Sequence, residues 1–378
     1  MRPTHFPWRA PLLFAIWWIA LQGFALLAFN RFELTTPDQA YTWTSQIRGM
    51  LPLAWRGFAD LHVRFDSGFY LWIARDGYTA QTAAFLPLYP LLIKLSAATG
   101  CFGLLIGGCD GTSAAFIVSN LSAFGAAIAI ALLAALDLDE ERASTALFYF
   151  LIFPTAFFLT TVYTEPLFIC LAATSLYAAR RQQWGVAGVV GALAMLTRVT
   201  GLALFAALVV EWFMQRRPLD RRWLWLLLIP LTFLVFELFL EAQGFSFFAS
   251  EQAIFKRAPL NLDALAENLD VKHLLAHEAA QVNFLLDVGL ALFVFVISGI
   301  SLVAVRPSYG VYGILCILLP FTSGHTLGLD RFALAAFTVP LTLARFSRNV
   351  WLDRAYTLCA ILLLALYTLL FVQGYWAG

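Results

Sequence analysis

The stretch "PLLFAIWWIALQGFALLAF" occupies residues 11–29 and decides the class of fold. It contains no charged side chain, and a helix needs about 20 apolar residues to cross the hydrocarbon core of a bilayer. Two basic side chains, Arg2 and Arg9, precede it, as is typical of the cytoplasmic flank of a membrane helix. The run is too long for the core of a typical signal peptide. We therefore expect an uncleaved first membrane helix with its N-terminus in the cytoplasm.

The composition of the whole chain points to the same class. Of 378 residues, 61% are hydrophobic and only 12% are charged, which is about half the charged fraction of a typical soluble domain. A formal net charge of +1 offers no basic field to a nucleic acid. The sequence therefore predicts an all-α polytopic membrane protein, surrounded by membrane lipids and without a nucleic-acid partner.

Apolar runs recur along the chain, and the loops between them indicate the topology. The runs cover about residues 11–29, 84–98, 113–136, 143–160, 163–179, 184–197, 199–214, 222–242, 284–305, 309–323, 331–346 and 351–373. Short basic loops such as "QRRPLDRR" at 215–222 are typical of the cytoplasmic side. If these loops share one side, one run before residue 143 cannot cross. The run 84–98 is short and carries Pro87, Pro90 and Lys94, so we expect it to stay at the membrane surface.

About 11 crossings follow, in a single transmembrane domain that covers 1–378. Two long loops then lie on the external side, namely 30–112, which contains juxtamembrane helices, and 243–283. A protein with this asymmetry carries out its chemistry at the outer lipid surface. Cys101 and Cys109 flank a glycine-rich stretch of the first loop, and the sequence leaves open whether they form a disulfide.

The first external loop contains "RFDSGFYLWIARDGY", residues 64–78, where charges and aromatic rings alternate. The stretch predicts a short helix that begins near Ser67 and stops at Gly77, with the glycine in the left-handed conformation. Asp66 then has two interpretations. It is either the N-cap of this helix, or a general base whose ionised form the helix N-terminus favours. Spacing alone favours the cap.

Isolated charged residues also occur at the external ends of later runs. Arg198 and Arg331 either pair with Glu165 and Asp330 or bind phosphate, which arginine does in a bidentate manner. The residues themselves leave both alternatives open. Glu237, in the middle of an apolar run, favours a buried protonated carboxyl group.

The motif "DLDEE" at 137–141 resembles a different kind of site. It contains the Asp-x-Asp pattern with which soluble nucleotide-sugar transferases hold a metal ion. Here it falls in a tight turn and no α/β domain accompanies it. We therefore interpret it as a solvated acidic loop.

Four stretches, in order, resemble one family. They are "RFDSGFYLWIARDGY" followed by "AAFLPLYPLLIKL", then "FPTAFFLTTVYTEPLF", "ARRQQWGVAGVVGALAMLTRVTGL" and "GLDRFALAAFTVP". Their order and spacing resemble the PIG-V family, the second mannosyltransferases of GPI-anchor assembly and their prokaryotic relatives. The short loops favour a prokaryotic relative. The resemblance implies an integral-membrane glycosyltransferase of the C superfamily that uses a polyprenyl-phosphate-linked sugar, typically mannose, and inverts the anomeric centre outside the cytoplasm.

The resemblance also implies roles for single residues. Asp66 matches the catalytic acidic residue of the first external loop, and Arg198 and Arg331 match arginines that would bind the donor phosphate. Further substrate-binding candidates are Arg64, Tyr70, Tyr89, Glu165, Gln252, His325 and Asp330. The acceptor would be a lipid, a glycan or a protein. No cofactor is firmly implied, and a divalent metal ion is possible but not required.

The expected location is a multi-pass position in a prokaryotic cell membrane with the active site outside, or in the endoplasmic reticulum membrane with a luminal site. Two other classes fit the composition, namely a transporter or flippase of lipid-linked substrates and a noncatalytic membrane assembly subunit. Transporters are often built from repeats with broken helices that meet at the midplane. No repeat is evident in this sequence, and its candidate polar groups cluster on one face.

Overall fold

A computed structural model gives the fold of the chain. It describes residues 8–31, 57, 61–101, 110–215, 220–263, 266, 279–324, 326 and 328–375. Among these residues it has fifteen α-helices and no strand. The predicted all-α class of a polytopic membrane protein is therefore confirmed.

The helices are joined by segments of unequal length. In chain order they are α1 (Arg9–Arg31), α2 (Ser67–Asp76), α3 (Leu88–Ala98), α4 (Gly111–Ala134), α5 (Glu140–Leu151), α6 (Glu165–Arg180), α7 (Trp184–Met195), α8 (Gly201–Met214), α9 (Leu228–Glu241), α10 (Phe247–Phe255), α11 (Ala279–Ala304), α12 (Pro307–Phe321), α13 (Leu329–Ala335), α14 (Thr338–Arg345) and α15 (Val350–Val372). Two short 3₁₀-helices, Ala156–Thr160 and Arg221–Leu227, precede α6 and α9.

Five helices in the described part of the chain are long and apolar enough to cross a membrane. They are α1, α4, the continuous helical segment Arg221–Glu241, the part of α11 from Leu285 to Ala304, and α15. The shorter apolar helices α3, α7, α8 and α12 pack against other helices of the bundle. The protein is a multi-pass integral membrane protein, and the number of 11 crossings stays a prediction.

Helix α3 lies in the run that was expected to remain at the surface. It has 11 residues, which rise about 16 Å and therefore span about half of a hydrocarbon core of about 30 Å. Cys101, which follows it, is disulfide-bonded, while Cys109 lies outside the described residues.

Two predicted apolar runs are not continuous helices. The run 143–160 leaves the α-helical conformation after Leu151, because Pro154 lacks an amide N–H and disfavours the helical conformation of the residue before it. The run 331–346 is divided between α13 and α14. Each break turns a potential spanning helix into two short segments, whose ends then point into the protein.

Irregular backbone at membrane depth must find its hydrogen-bond partners inside the protein. The segment between α5 and α6 is buried throughout, and its backbone finds hydrogen-bond partners inside the protein. The Val162 N–H donates to the His62 carbonyl at 2.9 Å, and the Thr155 hydroxyl donates to the Asp330 carbonyl at 3.1 Å. These bonds connect the segment to the loop before α2 and to α13.

A network of ion pairs ties four helices together at the far end of α6. Arg180, the last residue of α6, donates to both carboxylate oxygens of Asp137, at 2.5 and 2.7 Å. Arg306 donates twice to Glu211 of α8, each time at 2.7 Å. The Tyr309 hydroxyl donates to Asp137 at 2.8 Å, and Arg180 Nε lies 3.6 Å from Glu211. Ends of α4, α6, α8 and α12 are thereby joined.

The interpretation of "DLDEE" as a solvated acidic loop is confirmed, because its four acidic residues are exposed. Two of them also have structural partners, and the bonds from Arg180 reduce the exposure of the Asp137 side chain to 16%. Asp139 caps α5 by accepting a hydrogen bond from the Arg142 N–H at 3.0 Å. Both carboxylates of the Asp-x-Asp pattern therefore have structural partners, whereas the neighbouring Glu140 side chain is 76% exposed as predicted.

We expect Arg180→Gln to destabilise the protein, because Asp137 would lose two hydrogen bonds from a guanidinium group. Hydrogen bonds to charged groups contribute about 1.5–3 kcal/mol. The measurement is the thermal unfolding midpoint of the purified protein in detergent. The control is Arg181→Gln, which removes the same charge one residue further on, outside this network. Equal midpoints for the two variants would contradict the assignment.

Candidate functional site

A cavity of about 240 Å³ opens between α2, α10 and α13. Polar and charged side chains from these helices and from the ends of neighbouring ones line it, namely Asp66, Tyr70, Thr164, Thr197, Arg198, Glu251, Lys256, Arg257 and Arg331. Aromatic rings, among them Phe85, Phe247 and Phe332, complete the wall. The fold thus gathers charged residues that are far apart in the sequence around one space, which we call the polar cavity.

Two arginines and two carboxylates form a continuous chain at this cavity. Arg331 Nη1 donates to Asp66 Oδ2 at 2.5 Å, and its Nε donates to Glu165 Oε1 at 3.0 Å. Arg198 Nη1 donates to the same Glu165 oxygen at 2.6 Å and to Thr164 Oγ1 at 3.0 Å. Glu165 is fully buried behind the wall, while the other three charged side chains are about one-tenth exposed. The predicted pairing of Arg198 and Arg331 with Glu165 is therefore present.

Asp66 stands immediately before α2 but does not cap it. Its backbone is helical, with φ −59° and ψ −19°, and its side chain makes no capping hydrogen bond. The carboxylate instead faces the cavity and Arg331. The predicted helix bounds, Ser67 and Gly77, agree with α2. Gly77 has a positive φ of 87°, but its ψ of −165° departs from the left-handed helical conformation that we predicted.

The turn before α2 directs this carboxylate. Phe65 adopts a φ of 49°, which is unfavourable for a residue with a side chain. Two bonds to the segment before α6 hold the turn. The Tyr163 hydroxyl donates to the Arg64 carbonyl at 3.1 Å, and the Ser67 hydroxyl donates to the Val162 carbonyl at 2.9 Å. Backbone strain that the surrounding structure maintains in this way is concentrated at functional sites.

Arg331 is positioned by the start of α13 and by aromatic rings. Gly328 precedes this helix with a φ of 79°, which glycine adopts without strain. The guanidinium carbon lies 4.6 Å from the ring centre of Tyr163 and 5.4 Å from that of Phe158. Such cation–π contacts contribute about 2 kcal/mol when the cation is desolvated, so the side chain has a defined position.

Asp330 is turned away from the cavity and anchors α13. Its carboxyl group lies beside that of Asp287 on α11 and near Tyr367 on α15. It also accepts from the Arg331 N–H at 2.7 Å, while Asp287 accepts from the Gly328 N–H at 3.4 Å. Two buried carboxyl groups side by side cannot both be ionised without a large cost, so we expect one of them to hold a proton. Because each accepts from a backbone N–H, the pair acts as a clamp that fixes the backbone next to Arg331.

The remaining predicted site residues differ in position. Tyr70 lines the cavity, and its hydroxyl lies 3.4 Å from Thr164 Oγ1. Tyr89 lies behind it, with its hydroxyl 2.6 Å from that of Ser119 and its ring edge-on to Tyr70. His325 lies outside the described residues.

Arg64 and Gln252 do not line the cavity. Arg64 is 1% exposed and donates to the Val372 carbonyl at 2.7 Å, so it ties the loop before α2 to the end of α15. Gln252 is exposed on α10. Neither position could be told from the sequence, because the direction of each side chain depends on the turn or helix that carries it.

Glu251 and Phe332 line the cavity although neither was among the predicted residues. The Phe332 ring centre lies 5.0 Å from the guanidinium carbon of Arg198 and 5.4 Å from that of Arg257. Burial raises the pKa of Glu251 to about 7, although Arg257 opposes the shift. The sequence could have indicated Glu251, because a carboxylate is unusual within the apolar stretch "FFASEQAIF". Only the position of α10 shows that this carboxylate faces the site.

Helix α10 owes its position to Glu237. The Ser246 hydroxyl donates to Glu237 Oε1 at 2.7 Å, and the Phe247 N–H donates to Oε2 at 2.9 Å. The expectation of a buried carboxyl group is corrected, since this side chain is only partly buried and accepts the hydrogen bonds that begin the next helix. Among the described residues, no three His, Cys, Asp or Glu side chains are grouped as metal ligands.

Fold and site together define a multi-pass membrane protein with a buried, charged cavity between its helix ends. The family model described as Mannosyltransferase (PIG-V) matches residues 24–249, more than half of the chain. The chain belongs to this family, and it is a glycosyltransferase with mannose as its sugar. A search of curated proteins found no match. The match includes Asp66, Glu165 and Arg198, whereas Arg331 lies beyond it.

The clamp between Asp287 and Asp330 predicts different outcomes for two substitutions. We expect Asp287→Asn to keep the unfolding midpoint close to that of the wild type, because the amide donates to Asp330 and accepts from the Gly328 N–H. Asp287→Ala should lower stability by about 1–3 kcal/mol, the cost of leaving buried polar groups without partners. Thermal unfolding in detergent measures both. An alanine variant as stable as the wild type would contradict the clamp.

Proposed function

We propose that the protein transfers mannose from a polyprenyl-phosphate-linked donor to an acceptor hydroxyl on the extracytoplasmic face, with inversion at the anomeric carbon. The carboxylate of Asp66 is the observation that carries the proposal. It faces the cavity instead of capping α2, and it lies beside a guanidinium group. A general base must have this access to the proton that it removes.

The reaction is a single displacement. Asp66 takes the proton of the acceptor hydroxyl while the acceptor oxygen bonds to the anomeric carbon. The bond from this carbon to the phosphate oxygen breaks, and its electron pair leaves with the phosphate. Because attack and departure occur on opposite faces of the sugar, the anomeric centre is inverted. Base catalysis of this kind contributes about 10²–10⁴ in rate.

Arg331 and Arg198 stabilise the phosphate. Arg331 already pairs with Asp66, and this attraction ends when Asp66 receives its proton. The guanidinium is then available to the phosphate at the moment when its negative charge grows. Arg198 contributes its Nε–H, which is buried and has no hydrogen-bond partner among the described residues. Both groups are fixed before the reaction, which is the arrangement that stabilises a transition state most effectively.

We expect Asp66→Asn to lower mannose transfer by about 10²–10⁴. The assay uses the reconstituted protein, a radiolabelled mannosyl-phosphate polyprenol and a membrane lipid extract as acceptor source. Asp76→Asn is the control, because Asp76 is exposed and pairs with Arg75 at 2.7 Å. Undiminished transfer by the Asp66 variant would rule out the base. Movement of the intact donor between leaflets without transfer would favour a flippase.

The proposed side of the membrane is tested by cysteine labelling. We expect cysteines introduced at Ala80 and Gln183 in a cysteine-free background to react with an impermeant maleimide from opposite sides of sealed vesicles. Both positions are exposed. Ala80 belongs to the first external loop, and Gln183 follows the basic end of α6. Labelling of both from one side would contradict the proposed topology.

A further inference from the structure

A second cavity of about 360 Å³ lies beside the polar one. Its wall is mostly apolar and includes Leu202 of α8, Phe248 of α10, Leu319 of α12 and Leu260. Phe248 and Leu260 are 46% and 75% exposed, respectively. In a membrane protein, large apolar side chains with such exposure meet lipid, so the outer wall of this cavity borders the bilayer.

Five residues line both cavities and form the threshold between them. They are Val199, Phe247, Glu251, Arg257 and Phe332. Only Glu251 and Arg257 of these five carry ionisable groups. A ligand that extends from the polar cavity into the apolar one therefore passes one guanidinium and one carboxyl group.

The end of α10 brings these two groups together. The Glu251 carbonyl accepts hydrogen bonds from the Lys256 N–H and from the Arg257 N–H, the latter at 3.3 Å. Lys256 adopts a left-handed φ of 55°, which reverses the chain and returns Arg257 toward Glu251. The Arg257 guanidinium lies over the Phe332 ring, which also contacts Arg198. Phe332 thus connects the threshold cation with a cation of the polar cavity.

We propose that Arg257 and Glu251 complete the site of the donor phosphate at the threshold, where Arg198 and Arg331 reach it from the polar cavity, with the mannose in the polar cavity and the first isoprene units in the apolar one. This inference rests on the proposed function and adds the position of the lipid. The donor carries sugar, phosphate and hydrocarbon in this order, so its phosphate must lie where a polar space meets an apolar one. A guanidinium is the side chain best suited to bind phosphate there.

Glu251 makes phosphate binding depend on pH. Its carboxyl group faces Arg257 and Lys256 of its own segment, Asp66 at α2 and Arg198 before α8. Burial raises its pKa to about 7, so it is mostly protonated below pH 7 and mostly ionised above. The protonated form donates to a phosphate oxygen. The ionised form repels the phosphate and competes with it for Arg257, so donor affinity should fall as the pH rises through 7.

The test uses full-length protein in nanodiscs and the methyl diester of polyprenyl phosphate as the probe, because a diester, like the donor, keeps one negative charge, whereas a monoester ionises again at about pH 6. Binding is followed by intrinsic fluorescence between pH 6 and 8. We expect Arg257→Gln to weaken binding about 10- to 100-fold, which corresponds to one charge-assisted hydrogen bond. Glu251→Gln should bind as tightly at pH 8 as at pH 6, whereas the wild type weakens. Glu241→Gln, which removes an exposed carboxylate of α9, should follow the wild type. Parallel pH profiles for wild type and Glu251→Gln, or unchanged affinity of Arg257→Gln, would overturn the proposal.

A second variant tests the position of the lipid chain. Ala258 lines the apolar cavity but not the polar one, and Ala258→Trp would fill part of the space. We expect it to raise the KM of long-chain donors and to leave that of a donor with one isoprene unit unchanged. Equal effects on both donors would refute the location. The same assay measures mannose transfer by the wild type. If the wild type transfers no mannose from any donor, the proposed function fails, and this outcome is distinct from a wrong position of the lipid chain.

Discussion

The cavity depends on one oxygen of Glu165, which Arg198 and Arg331 share. Two guanidinium groups so close together would repel each other, and each would cost several kcal/mol to bury alone. The carboxylate between them removes both penalties and fixes the distance between the cations. It is the first residue of α6 and precedes Pro166, at the helix end whose dipole favours a negative charge. The helix and the two arginines therefore stabilise the same ionised group.

The breaks in the apolar runs follow from this constraint. The four ion-paired side chains that link Asp66 to Arg198 come from separate segments of the polypeptide. Continuous spanning helices would place these side chains at different depths. Because the chain unwinds before α6 and begins α13 after Gly328, Glu165 and Arg331 meet at one level. The unwound backbone is buried and hydrogen-bonded, which is the condition for irregular structure in a membrane. An active site of this kind is built where helices end.

Features that depend on a short stretch of chain could be predicted from the sequence, whereas contacts between distant segments could not. The bounds of α2 follow from Ser67 and Gly77, and the long spans follow from apolar length, because both are properties of a short stretch of chain. The pairing of Asp330 with Asp287 joins helices whose contact the sequence does not specify. Arg64 was a site candidate by position, yet a strained turn directs it to the end of α15. The family resemblance selected Asp66, which spacing alone had assigned to a cap.

The proposed transfer conserves the charge of the buried cluster. One negative charge moves from Asp66 to the phosphate, and Arg331 lies where it can attract both, so no new charge is created in a medium that solvates charge poorly. The described lining contributes four cations, Arg198, Lys256, Arg257 and Arg331, against the carboxyl groups of Asp66 and Glu251, with Glu165 behind them. With Glu251 protonated, this excess of positive charge remains through the reaction. It favours the phosphate over water at each stage, and the cations need not reorganise as the bond breaks.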